Sequence, residues 1–518
     1  MRLIHRFILR LVPLGALAAV IGILVSSSGP IPSERFQNIN LYAGPGENYS
    51  AGTFDSLLSA QKKAGIGQVR EVLDWSQIET TEGTYNWSTP IPYAAVFASE
   101  KAQDLKVIAV LTGGPTYMSD TFNSTQFLLR WADFVQAAVD QFGSNVDVWE
   151  IGSQINTSTG MSAFLVPAQA STKTTPDPKL YTQMLKVADK IIKDADPNDE
   201  VWMGSLVSSS ASNCGMNPLT FLLEINGNKG WNSFDSLVYN PKRGAVAPEA
   251  ADTETSSACA SSLPVNNTTL AGEVQSVQDL ARQLGGKPLQ IEGLTWSSKQ
   301  LSTLASDRAI TSDQALADYL TRATVQLAGN NSLTNFSWQV DQKSTPAAFT
   351  ALSNLNSILD GAKFMSEPQG QSGSVFEYRF SKGSQWIIIA WHAQDGDNPV
   401  PIQLSGLQVS SLTAYPVDAA GFTSSNGTDI PVDGDGNATV MVNERPVIFL
   451  GKTSNLASAL QQDGSAQTDQ WKYQMKVTAH RWTNQLKADM LHVVENLFES
   501  AKDKAINWGE EKLNNILG

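Results

Sequence analysis

The chain has 518 residues, a net charge of −14, 42% hydrophobic residues and only 17% charged ones. That length asks for two or three domains, and the apolar content supplies large cores and argues against disorder. The acidic balance argues against a nucleic-acid binder, which needs clustered Lys and Arg to neutralise phosphates. Two cysteines and four scattered histidines offer no ligand spacing, so neither a metal nor a cofactor is expected.

The first ten residues carry Arg2, Arg6 and Arg10 without an acid, Leu11 to Val25 is free of charge, and the chain turns polar at Ser26. Residues 1–30 therefore read as an export signal, either cleaved or retained as a membrane anchor. The expected location is extracellular or periplasmic.

Residues 36–362 alternate short β-like runs with amphipathic helical ones. The expected strands are Ile39–Tyr42, Gly67–Leu73, Lys106–Leu111, Val146–Ile151, Val201–Leu206, Phe234–Tyr239, Leu289–Ile291 and Asn335–Val340. Between them apolar residues recur at helical spacing, as in Phe127, Leu128, Trp131, Phe134, Val135, Ala138 and Phe142. Asp196-Pro197 and Gly285-Gly286 stop helices. Eight strand–helix pairs fit a closed parallel (β/α)8 TIM barrel, an α/β fold, better than an open sheet. An open sheet would announce a Gly-rich phosphate turn after its first strand, and Ala43-Gly44-Pro45-Gly46 is not one.

Across 363–452 the pattern becomes six short strands separated by Gly, Asn and Asp clusters, the mark of a small antiparallel β-sandwich. Residues 453–518 are a polar linker and an amphipathic helical tail. From 468 onward Trp471, Met475, Trp482, Leu486 and Met490 fall near one face among lysines, so the tail lies on a membrane, grips an envelope-complex partner or packs back on its own barrel. Cys214 and Cys259 fall in the loops after the fifth and sixth strands, and in an exported chain they are expected to form one disulfide.

Three segments resemble known enzymes. Val69-Arg70-Glu71-Val72-Leu73-Asp74-Trp75, followed by Gly83-Thr84-Tyr85, is similar to the second strand and loop of clan A glycoside hydrolases. Val148-Trp149-Glu150-Ile151-Gly152-Ser153-Gln154-Ile155-Asn156 resembles their fourth-strand motif Trp-Glu-Ile-Trp-Asn-Glu-Pro-Asn. Lys287-Pro288 through Glu292-Gly293-Leu294-Thr295-Trp296-Ser297 resembles the seventh strand. The three in order look most like family 39 and the related endoglycosidases of exopolysaccharide operons.

The resemblance implies two carboxyls at the mouth of the barrel, a proton donor on the fourth strand and a nucleophile on the seventh, roughly 5–5.5 Å apart. This chain departs at both places. The donor position holds Gln154, whose amide cannot release a proton. On the seventh strand, anchoring on Trp296-Ser297 puts Gly293 at the nucleophile position and Glu292 one residue early. Strand alternation then turns Glu292 away from the cleft, unless a bulge inserts a residue between Glu292 and Trp296. With that bulge Glu292 is the candidate nucleophile.

The resemblance implies that Arg70 braces the nucleophile and that Ser153, Gln154, Asn156 and Tyr239 line the cleft. Asp74, Trp296 and Trp338 are expected there from their place at strand ends, the two tryptophans either stacking on sugar rings or packing in the core. Glu150, deeper on its strand, is expected to pair with Arg70, and Glu79 to order the loop before Tyr85. The expected function is that of a catalytically degenerate glycosidase that binds or organises a polysaccharide or oligosaccharide. The alternatives are an active retaining hydrolase using Glu292, and an assembly protein acting through its C-terminal helix.

Overall fold

The computed structural model describes residues 38–452, less 42–43, 45, 47–48, 51, 116, 119–123, 158–159, 161–175, 209–214, 244–245, 252–268, 297, 330–334, 368–373 and 394–398. The expected export segment, the linker and helical tail, and the Cys214–Cys259 pair lie outside the described residues.

The first part of the chain is a parallel barrel. Its strands are β1 (Asn38–Leu41), β2 (Gln68–Asp74), β3 (Lys106–Thr112), β4 (Val148–Ile151), β5 (Glu200–Met203), β6 (Leu206–Val207), β7 (Leu237–Asn240), β8 (Leu289–Leu294) and β9 (Asn335–Trp338). Hydrogen bonding divides them into two sheets, β2-β3-β4-β5 and β1-β9-β8-β7-β6. Two seams close the wall. At one, Trp202 bridges Ser236 and the Met203 N–H donates to the Ser236 carbonyl at 3.0 Å. At the other, the Asn40 side-chain carbonyl accepts from the amides of Gly67 (3.2 Å) and Gln68 (2.8 Å), replacing a ladder between β1 and β2.

Val201–Leu206 is expected as one strand and is found as two. Gly204 breaks it, because a Cβ there would lie 2.3 Å from the Ile151 carbonyl oxygen. Its N–H leaves the ladder and donates to the Tyr181 hydroxyl at 2.9 Å. The strand thereby leaves β4 and pairs with β7 instead, and Ser205 sits at the kink.

Helices cover the outside: α1 (Phe54–Lys63), α2 (Trp75–Ile78), α3 (Tyr93–Ala102), α4 (Ser124–Phe142), α5 (Pro178–Ala195), α6 (Pro218–Gly227), α7 (Leu270–Gln283), α8 (Ser298–Arg308), α9 (Ser312–Ala328) and α10 (Pro346–Leu359). The periodic face of α4 buries Phe127, Trp131, Phe134, Val135, Ala138 and Phe142. Each large side chain so buried contributes about 1.5–3 kcal/mol. Helix starts are fixed by side chains: Asp177 caps α5 ahead of Pro178, and Thr311 with Gln314 forms a capping box on α9. Inside the barrel Ile108, Val148, Trp202 and Val238 form an apolar plug. Among the described residues no helix is long and apolar enough to cross a membrane.

Residues 363–452 form antiparallel sheets, β10-β11-β12-β17-β14-β15 and β13-β16. Six of these strands match the expected ones; β10 (Lys363–Ser366) and β15 (Thr428–Pro431) are additional. β11 (Val375–Lys382), β12 (Gln385–His392) and β17 (Val447–Lys452) make the centre of the larger sheet. The smaller pairs β13 (Val400–Leu404) with β16 (Ala438–Val442), whose alternate residues are buried. β14 (Ser411–Pro416) completes the set between β17 and β15.

Glu249, on the loop after β7, ties barrel to sandwich. It accepts from Arg322 Nε (2.9 Å) and Gln326 Nε2 (2.8 Å) on α9, and from the indole N–H of Trp391 (2.9 Å) on β12. Glu249→Ala would strand a buried guanidinium, a loss of about 3–5 kcal/mol. Urea unfolding followed by tryptophan fluorescence should show the midpoint fall accordingly, and an unchanged midpoint would contradict this account.

Candidate active site

The candidate site is built on Arg70 of β2, Glu150 of β4 and Glu292 of β8. Arg70 donates from Nε to Glu150 Oε2 at 2.8 Å and from Nη2 to Glu150 Oε1 at 3.0 Å, a bidentate pair. The same Nη2 lies 3.0 Å from Glu292 Oε1. All three side chains are buried, at 6%, 1% and 3% exposure. One guanidinium thus serves two carboxyls inside a protein wall.

Glu292 faces this cluster by ordinary strand alternation from Ile291, which pairs with the outward-pointing Tyr239 of β7. β8 then bulges: Ile291 pairs with Phe336 and Leu294 with Trp338, so β8 uses three steps where β9 uses two. Gly293 absorbs the extra residue at φ 65°, a left-handed conformation that glycine adopts without a Cβ clash. Counting back from Trp296 without that bulge is what turns Glu292 to the wrong face.

Burial raises the Glu292 carboxyl from its ordinary range to about 7. Arg70 opposes that rise, the charge of Glu150 adds to it, and the Ser205 hydroxyl and Lys242 ammonium oppose it more weakly. Lys242, half-buried on the loop after β7, is itself pulled down by desolvation and supported by the Glu292 charge. Neither Glu292 oxygen accepts a well-aligned hydrogen bond from the described residues.

Gln154 stands just beyond the end of β4 in the left-handed region, φ 52°. Its loop is held tightly: the Gln154 carbonyl accepts from Thr157 N (2.9 Å) and Thr157 Oγ1 (2.7 Å). Gln154 N donates to Ser205 Oγ at 3.0 Å, and Ser153 Oγ lies 3.3 Å from the same hydroxyl. Ser205 also acts on Glu292, so one hydroxyl links the Gln154 backbone to the carboxyl on β8. The kink at Gly204 is what puts it there.

Other residues expected at the cleft are used elsewhere. Asp74 caps α2, accepting from Ser76 N (3.0 Å), Ser76 Oγ (2.7 Å) and Gln77 Nε2 (2.8 Å). Asn156 is wholly buried and knits the β4 loop to backbone, with Oδ1 taking Val207 N and Nδ2 reaching the carbonyls of Val207 and Met216. Tyr239 points outward and donates its hydroxyl to Glu273 of α7. Trp338 is fully buried, its indole N–H on Thr324 Oγ1 of α9 at 2.9 Å. Trp296 is 5% exposed, edge-on to Tyr319, with its N–H on the Val246 carbonyl. Neither tryptophan offers an open face to a sugar ring. Glu79 orders its loop, accepting from Trp75 Nε1 and Gly83 N, both at 2.6 Å.

Three residues of the site carry no strong mark in the sequence: Ser205, Asn240 and Lys242. Asn240 shares strand parity with Val238 of the barrel plug, and its buried Oδ1 has no partner among the described residues. Counting parity inward from Val238 would have found Asn240 in place of Tyr239. No group of three or more His, Cys, Asp or Glu among the described residues is arranged to hold a metal ion.

Neither a protein-family model nor a curated protein matches the sequence. Solved structures do match the fold. A family 39 glycoside hydrolase from Bacteroides cellulosilyticus WH2 superposes with a TM-score of 0.58 at 15% identity, over 81% of each chain. A GH30 endoxylanase from Clostridium papyrosolvens C71 gives 0.51 at 12% identity, over 82% of this chain and 98% of its own. BuGH86E322Q, in complex with neoagarooctaose, gives 0.52 at 12% identity, over 81% of this chain and 75% of its own. The fold is that of the clan A glycoside hydrolases.

At the mouth of the barrel Glu292 stands on β8 and Gln154 just beyond the end of β4. An ionised Glu292 can attack an electrophilic carbon; Gln154 can donate and accept hydrogen bonds but cannot transfer a proton. Because the folded protein holds the Glu292 proton more tightly than the unfolded chain, its contribution to stability is full below about 4.5 and is lost as pH rises through about 7. Asp318, raised to about 7 chiefly by burial, adds a slope of the same sign. Denaturant midpoints measured from pH 4.5 to 7.5 should therefore fall, and Glu292→Gln should remove its share of that fall. An identical slope in the variant would show that Glu292 titrates normally.

Proposed function

We propose that this chain is a glycoside-hydrolase-like protein, working outside the cytoplasm, that binds an oligosaccharide or polysaccharide at its barrel mouth without cleaving ordinary glycosidic bonds. What supports the reading is Gln154 just beyond the end of β4, where the resemblance expects a proton donor, its backbone N–H on the Ser205 hydroxyl that also acts on Glu292. An amide keeps the volume and hydrogen bonding of a carboxylic acid and loses only proton transfer. The charge pattern of residues 1–30 supports the location.

Binding rests on polar groups, because the aromatic faces are packed away. Ser205 and Lys242 act on Glu292, Ser205 holds the loop of Ser153 and Gln154, and Asn240 shares inward parity on β7, a set of donors and acceptors suited to sugar hydroxyls. Affinity in the micromolar to millimolar range, roughly 4–8 kcal/mol, is expected. Calorimetry on the full chain against a panel of envelope oligosaccharides should find a ligand, and Gln154→Ala and Asn240→Ala should each weaken it. Trp296→Ala should instead lower the unfolding midpoint through lost packing. If no oligosaccharide binds, or binding survives both site substitutions, the reading fails. Turnover of an unactivated polysaccharide at an ordinary enzymatic rate, abolished by Glu292→Gln, would replace it with a hydrolase.

A further inference from the structure

Two chain segments carry the polar side of the site: β4 running on into Gln154, and β5 breaking off before Gly204. Their ladder ends at the pair Ile151 and Met203, and beyond it a phenol takes over. Tyr181, in the first turn of α5 and wholly buried, donates its hydroxyl to the Ile151 carbonyl at 2.7 Å and accepts the Gly204 N–H at 2.9 Å. The fit is close, since a Cβ on Gly204 would lie 2.3 Å from the Ile151 oxygen and 2.7 Å from that of Gly152. Burial raises the hydroxyl above the ordinary phenol range, the Gly204 N–H opposes that rise and the Glu150 charge adds to it. The group therefore stays a donor to Ile151.

Ser205 follows directly, and its place depends on that turn of the chain. Its carbonyl accepts from Ile155 N at 2.9 Å and its hydroxyl from Gln154 N at 3.0 Å, and the same hydroxyl acts on Glu292. The phenol thus grips both segments at the root of their contact with the site. We infer that Tyr181 is a positioning residue of this site: its hydroxyl, reaching in from the helix layer, fixes where Ser205 stands against Gln154 and Glu292. This deepens the glycan-binding reading and rests on it for the ligand alone, because Ser205 acts on Glu292 in the free protein as well.

Tyr181→Phe keeps the ring, which packs 5.9 Å from Phe221, and removes the two hydrogen bonds. The Gly204 N–H and the Ile151 carbonyl then lose their partner, the kink relaxes and Ser205 moves. Four groups face Glu292: Arg70 of β2, Glu150 of β4, Ser205, and Lys242 on the loop after β7. The Ser205 hydroxyl, like the two cations, favours the ionised carboxyl, so drawing it away moves the Glu292 midpoint upward.

Met203-Gly204 is the one Met-Gly step in the sequence. Isotope labelling of methionine carbonyls and glycine nitrogens in the full chain therefore isolates the Gly204 amide as a single NMR signal. On titration that signal should shift with a midpoint of about 7, and Glu292→Gln should remove the shift. Ser205→Ala should raise the midpoint by about half a pH unit or more. Tyr181→Phe should reproduce the rise, and combining the two should add nothing to it. Trp131→Phe removes a buried bond to the Met184 carbonyl of the same helix; it should cost stability and leave the midpoint where it was. Calorimetry with the bound oligosaccharide should show Tyr181→Phe and Ser205→Ala weakening it by a similar factor, about threefold to tenfold.

A Tyr181→Phe protein that is less stable but keeps the wild-type midpoint and affinity has lost a purely structural bond, and the inference is overturned. Should that variant not fold, the wild-type titration decides: the inference requires the Gly204 amide to follow Glu292, and an amide indifferent to it overturns the inference. If no oligosaccharide binds the wild type, the glycan-binding reading falls, and the amide titration still decides the part played by Tyr181.

Discussion

Arg70 is the charge on which the site depends. It stands above the apolar plug of Ile108, Val148, Trp202 and Val238, where water cannot screen it, and two carboxyls share its single positive charge. Such an arrangement cannot leave both carboxyls comfortably ionised at neutral pH. The bidentate hydrogen bonds go to Glu150, so the proton is held at Glu292, and Lys242 eases the deficit from the loop above. Strand β2 supplies the cation, and β4 and β8 supply the two carboxyls that share it.

The barrel was legible in the sequence because its signals are long and periodic. Helix faces such as that of α4, and strand runs punctuated by Gly, Pro and caps, survive small errors of boundary. The site was less legible because it depends on single-residue register. Gly293 in Glu-Gly-Leu is the one local sign of the bulge that separates Glu292 from Trp296, and counting back from Trp296 without it puts Glu292 on the wrong face. Tyr239 is expected at the cleft from a family motif position and Trp338 from its strand end, whereas parity sends both to the helices outside. Asn156 was misread for a different reason. A polar residue after a catalytic-looking motif is as useful for satisfying backbone groups of a buried turn as for touching a ligand, and here its side chain bonds the backbone of Val207 and Met216.

Ser205 shows what kind of feature sequence alone does not display. Its part in the site follows from the break at Gly204, where the close approach of the Ile151 carbonyl leaves no room for a Cβ and the N–H goes to Tyr181 instead of the ladder. The serine itself is unremarkable in composition or spacing. Only the handover from one sheet to the other brings its hydroxyl within reach of Gln154, Ser153 and Glu292 together.

That handover divides the barrel wall into two shells, β2 to β5 on one side and β1 with β6 to β9 on the other. Arg70 and Glu150 belong to the first and Glu292 to the second. Their ion pair therefore spans the parting line, as do the Asn40 clasp and the Trp202–Ser236 bridge at its two edges. The Arg70–Glu292 contact at the centre of the site is thus also a bolt between the two halves of the wall.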